Sequence, residues 1–187
     1  MPPPATVSAR TLVTVSGAHV PVPHPDQLIH LQFRRFAGCP VCNLHLRSFA
    51  VRLADIEAAG IREVVLFHSS ADALRPYTAD LPLDVVADPG RALYREFGVE
   101  YGLRALLDPR GWPTIARAIA RELRAVARRE RPAPPVHPEG GRLGLPAEFL
   151  IAPDGRVLAE KYGAHVDDQW SVDELLTLAA SVERERS

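Results

Sequence analysis

The 187-residue chain has only two cysteines, and both lie in one run, Phe33-Arg34-Arg35-Phe36-Ala37-Gly38-Cys39-Pro40-Val41-Cys42. Upstream, residues 30–36 read as a strand with Leu31, Phe33 and, at its end, Arg35 on one face. Downstream, Leu46, Phe49, Leu53 and Ile56 recur at helical spacing, which predicts a helix over residues 41–59. Gly38 then falls in a tight strand-to-helix turn. Pro40 suits the first helical turn, where its missing N–H would have had no partner.

This arrangement puts a thiol at a helix N-terminus, where unpaired backbone N–H groups and the helix dipole favour an anion. Arg34 and Arg35 add positive charge nearby in sequence. Such surroundings lower a thiol pKa from about 8.5 to roughly 3.5–7.5. A second thiol one turn later is within reach to form a disulfide with the first. Cys39, ahead of the helix, is expected to be the more exposed and therefore the nucleophile. Cys42, inside the first turn, is expected to be the resolving or buried partner.

The whole chain sets the bounds. One domain over residues 1–187 has room for a sizeable core. Lys+Arg 22 against Asp+Glu 23 gives no electrostatic case for nucleic acid or an anionic membrane as a partner. No apolar run approaches the roughly 20 residues that span a bilayer. The first residues have neither the basic start nor the apolar centre of a secretory signal, and two cysteines make no disulfide framework. A cytoplasmic, reducing setting is the expectation.

In chain order, residues 1–9 read as a flexible tail and residues 11–22 as a short hairpin across Gly17. Residues 62–68 form a continuous β-branched run typical of a buried parallel strand. Ser69 and Ser70 offer caps for a helix ending near Thr78. A strand at 83–87 and a helix at 91–97 complete a β-α-β-α-β-α order. Residues 101–141 read as a helical insertion and loop, with a helix over 113–129. Its apolar side carries Ile115, Ile119, Leu123 and Val126, and its other side Arg117, Arg121, Arg124 and Arg128. The arginines read as a solvated face; an anionic partner or a homodimer contact is the alternative. Trp112 reads as a packing anchor. Residues 147–152 and 156–162 flank Pro153-Asp154-Gly155, a hairpin signal. Ser171 and Glu174 form a capping box for a terminal helix.

The Cys-Pro-x-Cys turn, the βαβ order after it, and the run from Leu145-Pro146 through Phe149-Leu150-Ile151 to Pro153-Asp154-Gly155 resemble the thioredoxin superfamily. Within it, the N-terminal hairpin and the residues around Cys39 are similar to the peroxiredoxin-like branch of the alkyl hydroperoxide reductase/thiol-specific antioxidant group. The resemblance covers about residues 10–180. It implies an α/β, thioredoxin-like fold, with a mixed central sheet flanked by helices, an N-terminal hairpin and a helical insertion. It also implies a cis Pro146 against the dithiol, so that the Leu145 backbone pairs with a substrate. The chain departs from the family pattern. Typical peroxiredoxins carry a proline and a hydroxyl residue where Gln32 and Phe36 stand, and an arginine where Pro146 stands. Arg34 or Arg35 is a candidate to substitute for that arginine.

The leading expectation is an enzyme, a thiol-dependent oxidoreductase that needs no cofactor. Cys39 attacks a peroxide or a disulfide, Cys42 resolves the product, and a thioredoxin-like or other dithiol reductant resets the pair. Two other classes stay open. One is a redox-inactive thioredoxin-fold binding module with buried, inert cysteines. The other is a metal site using Cys39, Cys42, His45 and His68, although zinc sites commonly draw on two paired clusters. Of the seven histidines, His68 is the best supporting residue for the dithiol, because it lies at a strand's C-terminal end, where open α/β sheets gather their sites. Arg35 is the other. Glu148 reads as an exposed edge carboxylate, or else as a proton acceptor near the thiols.

Overall fold

A computed structural model of the protein describes residues 4–99, 108–130 and 132–186. Its main sheet has five strands in the order β5-β4-β3-β6-β7. These are β3 Leu28–Arg34, β4 Ile61–Phe67, β5 Asp84–Ala87, β6 Ala147–Ile151 and β7 Val157–Tyr162. The β3, β4 and β5 strands run parallel, whereas β6 joins β3 antiparallel and pairs with β7 as a hairpin. The sheet is therefore mixed and flanked by helices, as expected. A separate hairpin, β1 Arg10–Val13 and β2 His19–Val22, is antiparallel.

Strand alternation decides the two layers. Ile29, Leu31 and Phe33 of β3, Val64 and Leu66 of β4, and Ala147, Phe149 and Ile151 of β6 point to one face. There they meet Val20 and Val22 of the hairpin, and Tyr94 and Phe97 at α4 (Ala92–Glu96). The opposite face is covered by α1 (Pro40–Val51), α2 (Leu53–Ala58) and α3 (Ala71–Thr78). The terminal helix α6 (Val172–Arg186) adds Leu175 and Ala179 to it. Through the middle of this second face β3 presents not apolar residues but His30, Gln32 and Arg34, all buried.

Several expectations change. The helix over residues 41–59 breaks at Arg52, whose backbone (φ −109°, ψ 20°) leaves the helical region and turns α2 against β4. Of the tail expected over residues 1–9, residues 1–3 lie outside the described part, and the rest is docked. Val7 donates its N–H to the Gly155 carbonyl at 2.8 Å and is buried, and Val157 N–H reaches the Ala5 carbonyl at 3.1 Å. Gly155 has φ +87°, and a Cβ there would come within 2.7 Å of the Val7 carbonyl oxygen, so only glycine allows this approach. Residues 101–107 of the expected insertion also lie outside the described part. Its long helix, α5, spans Trp112–Ala127. It rests on α1 through Ala118 and Glu122, leaving Ile119 46% and Leu123 65% exposed. Trp112, expected as a packing anchor, is 56% exposed. The capping box is present: Ser171 N–H and Oγ reach the Glu174 carboxylate at 2.7 and 2.8 Å, and Glu174 N–H returns to Ser171 Oγ at 3.2 Å.

Candidate active site

The dithiol turn leaves the C-terminal end of β3, the central strand, and enters α1. Cys39 is the N-cap of that helix, with its N–H on the Phe36 carbonyl at 3.1 Å and its sulfur accepting from Cys42 N–H at 3.3 Å. Pro40 follows in the first turn. Gly38 has φ +76°, and a Cβ on it would strike the Tyr77 ring at 2.9 Å and Pro135 at 3.0 Å. Ser69 Oγ, at the end of β4, accepts from Ala37 N–H at 3.0 Å and ties the turn to the neighbouring strand.

Both cysteines are free and both are buried, Cys39 to 1% and Cys42 to 5% exposure. The expectation of a more exposed Cys39 is therefore not met, because Arg35, Phe36 and residues 132–145 close over the turn. Cys42 Sγ donates to Cys39 Sγ at 2.7 Å, and Arg35 Nη2 donates to the same sulfur at 3.1 Å. The strand's alternation sends Arg34 and Arg35 to opposite sides, and it is Arg35 that hydrogen-bonds to Cys39, while Arg34 acts on Cys42 through its field. Burial works against charge on the Arg35 guanidinium, yet the two sulfurs hold its pKa above the ordinary value.

The two thiols titrate as a pair. At Cys42, burial opposes ionisation, but the hydrogen bond with Cys39 and the nearby Arg35 outweigh it and pull the pKa down to about 5. At Cys39, burial and the hydrogen bond with Cys42 push the pKa well up. One proton thus leaves readily and the second is held. The pair holds one charge between them, and Arg35 Nη2, the Cys42 N–H and the Cys42 thiol all point to Cys39 Sγ.

His68, at the end of β4, is 2% exposed and sits beside Arg35, whose carbonyl accepts its backbone N–H at 3.2 Å. Burial, followed by the field of Arg91, lowers its imidazole pKa to about 4, so it is neutral at physiological pH. Leu145 packs in the apolar cluster that contains Cys39 and Cys42. Pro146 is buried at the start of β6, and its carbonyl accepts Gly163 N–H at 2.8 Å. Its peptide bond is trans. The cis bond expected there is not found; Pro146 leads into β6, a place where a proline's missing N–H is tolerated. The one cis peptide among the described residues is Val22–Pro23.

Sequence reasoning placed Glu148 at an exposed edge. It is instead buried to 1% in the polar layer of β3. Its carboxylate accepts from Arg34 at 2.6 Å and from Trp170 N–H at 2.5 Å, with His45 Nε2 at 3.6 Å. Arg34 also donates to Gln32 and Gln169, and His30 Nδ1 lies 2.9 Å from Glu63. Burial raises the Glu148 pKa, but Arg34 and the His45 contact more than reverse this and keep the carboxylate ionised. His45 is drawn into this layer and, by burial and Arg34, its pKa falls to about 4. The metal reading loses His45 in this way, and no group of three or more His, Cys, Asp or Glu able to hold a metal stands together among the described residues. The signal for this layer was readable: three polar residues at every second position of an otherwise apolar strand.

Residues 132–145, expected as part of a loop, form a strap against the turn, with Pro135 beside Gly38. Tyr77 donates its hydroxyl to the Ala133 carbonyl at 2.8 Å. Ser70 donates N–H and Oγ to the Glu139 carboxylate at 3.0 and 2.6 Å. Arg142 stacks over the Phe36 ring at 5.9 Å. A crevice beside the turn is lined by both cysteines together with Gly38, Leu46, Phe67, Leu74 and Tyr77. It has about 10 Å³ of free room, the space of roughly one water.

The sequence matches the model of the AhpC/TSA antioxidant enzyme family over residues 48–165, a span that begins after Cys42 and takes in all of β4 to β7. Curated proteins gave no match. Among solved structures, the chain is similar to peroxidoxin BcpB from Mycobacterium tuberculosis, at 17% identity, over 100% of this chain and 99% of that one, with a TM-score of 0.64. Peroxiredoxin Q of Xanthomonas campestris aligns at 15% identity, over 95% of this chain and 92% of that one, with a TM-score of 0.61. StoA from Bacillus subtilis aligns at 14% identity, over 94% and 98%, with a TM-score of 0.57. These likenesses are of fold, and they bracket peroxiredoxins and other thioredoxin-fold proteins alike. The family match spans more than half of the sequence, and the chain belongs to the AhpC/TSA antioxidant enzyme family.

Proposed function

We propose that the protein is a thiol-dependent oxidoreductase in which Cys39 and Cys42 cycle between dithiol and disulfide. The observation that carries this reading is the convergence on Cys39 Sγ of Arg35 Nη2, Cys42 N–H and Cys42 Sγ. It supplies a stabilised thiolate and a resolving thiol in one helical turn. Cys39 attacks a peroxide oxygen or a disulfide sulfur, and Cys42 displaces the sulfenic hydroxyl or the mixed-disulfide partner. An external dithiol of the thioredoxin kind restores the reduced pair. No helix among the described residues is long and apolar enough to cross a membrane, and a reducing compartment suits a chain with this one pair.

Peroxide reduction needs a cation near the breaking O–O bond, and the family pattern's arginine is replaced here by Pro146. Arg35 supports the peroxide reading because its guanidinium lies beside the attacking sulfur. The disulfide-exchange reading needs only the thiolate and access to it. Stopped-flow oxidation of the reduced protein with hydrogen peroxide, an organic hydroperoxide and a small disulfide separates the two. Fast loss of both thiols to a peroxide identifies a peroxidase. Fast exchange with slow peroxide reaction identifies a thiol–disulfide oxidoreductase. Inertness toward all three returns the chain to the binding-module reading.

A further inference from the structure

The arginines of α5 are the sequence feature that the dithiol does not use. Between α1 and α5 lies a cavity of about 300 Å³, the size of a small-ligand site. It exists because Ala118 and Ala125 of α5 are too small to fill the space opposite Leu44 and Arg47 of α1. Arg121, Arg124 and Arg128 border the same cavity, at spacings of three and four that stack them along one side of the helix. Like charges stacked this way repel, so the row works against the helix until an anion joins it. Two of the cavity's cations already have one: Arg47 Nη2 donates to Asp80 at 2.5 Å, and Arg128 Nη1 lies 3.8 Å from Glu130. Arg121 and Arg124 meet no carboxylate among the described residues. The wall formed by α1 is polar as well. Asn43, only 9% exposed, gives its amide N–H to the Glu122 carboxylate at 3.4 Å. That leaves Asn43 Oδ1 buried with no donor, and Arg47 Nε buried with no acceptor, among the described residues. Native proteins leave few buried polar atoms in this condition, and each calls for a reason.

We propose that this cavity binds a small ligand of the amino-acid or short-peptide class, one that carries carboxylates and an N–H donor together. Arg121 and Arg124 hold the carboxylates, for which a planar guanidinium is suited. Asn43 Oδ1, with the Glu122 carboxylate beside it, receives the N–H. A simple dicarboxylate would leave Asn43 Oδ1 unmatched and face Glu122 with a like charge, and a simple amine would meet the arginines. Pro40 and Asn43, each next in sequence to a cysteine, line the cavity, so the ligand rests on the first turn of the dithiol helix. The inference goes beyond the redox chemistry proposed above and needs no electron transfer.

The test is calorimetric titration of the reduced full-length protein with three probes at low salt. Glutamylglycine has two carboxylates, an ammonium and an amide N–H; glutarate has the carboxylates without any N–H; inorganic phosphate has neither group. The dipeptide should bind saturably, and glutarate and phosphate at least about 10-fold more weakly, for want of the hydrogen bonds to Asn43 and Glu122. Arg121→Gln and Arg124→Gln should each weaken dipeptide binding by about 5-fold or more, a charge-assisted contact discounted for its exposure. Arg117→Gln removes the same charge from the same helix outside the cavity, and should change binding by less than about two-fold. No saturable dipeptide binding up to about 10 mM overturns the inference. Glutarate or phosphate binding as tightly as the dipeptide overturns the ligand class. Dipeptide binding that ignores Arg121→Gln and Arg124→Gln, or that falls equally with Arg117→Gln, overturns the site. None of these results bears on whether Cys39 and Cys42 cycle.

Discussion

Arg35 Nη2 lies 3.1 Å from Cys39 Sγ, both groups being shielded from solvent. A cation at that distance in a poorly screened site shifts an acidic group by about one to three pH units. Arg35→Met should therefore raise the first ionisation of the dithiol by that amount. At neutral pH the iodoacetamide rate should fall by at most about 10-fold, and well below pH 5 by about 10-fold or more, read from alkylation over graded pH. An unchanged pH profile would remove Arg35 from the site.

The pair's titration also sets the pH dependence of stability. The first thiol ionises in the fold at about 5, far below its unfolded value. A depressed value contributes stability that is present above the unfolded pKa and lost as pH falls through the folded one. Reduced wild type should gain stability over the double variant Cys39→Ser/Cys42→Ser as pH rises from about 5 toward 8.5, by at most tenfold in the folding constant per pH unit. Urea unfolding under strict reduction checks this. A difference that stays flat across that window would contradict a shared thiolate.

His45 and His68 are neutral in the fold at values near 4. The unfolded chain binds their protons from about pH 6.5 downward, so stability is present above 6.5 and lost as pH falls toward 4. His45→Gln should reduce the slope of stability against pH in that window by about one proton.

The buried pair Arg34–Glu148, at 2.6 Å, predicts an asymmetry between single and double variants. Glu148→Ala strands a buried guanidinium and should cost about 3–5 kcal/mol in urea unfolding. The joint change Arg34→Met/Glu148→Leu removes both charges and should cost far less.

How much of this was legible in the sequence varies with how local its cause is. Gly38, Pro40 and the cysteine spacing specify the turn within ten residues, and Ser171 with Glu174 specifies a helix start, so both were readable. The break at Arg52 was not, because it answers to where β4 lies and not to any breaker residue. That Arg35 rather than Arg34 meets the sulfur depends on which way the chain leaves the last residue of β3. Glu148 looked like an edge carboxylate because its partners, Arg34, His45 and Trp170, come from three separate elements. The strap was least legible of all: its contacts to Tyr77, Ser70 and His68 run back over more than fifty residues, and its glycines and prolines announce only a loop.

The strap's anchoring yields a test of access. Tyr77→Phe removes one hydrogen bond to the Ala133 carbonyl, worth about 0.5–1.5 kcal/mol. The open population should rise by about 2–10-fold, and thiol alkylation with it. An unchanged rate would mean that the thiols are reached from elsewhere.

The central claim is that Cys39 and Cys42 form one redox couple, and the most direct test counts thiols and measures mass after one equivalent of oxidant, either a peroxide or a small disulfide. The account predicts that wild type loses both thiols and the mass of two hydrogens. Cys42→Ser should stop at a sulfenic acid or a mixed disulfide on Cys39, and Cys39→Ser should not form the couple at all. Two thiols that survive both oxidants in the folded wild-type protein would contradict it.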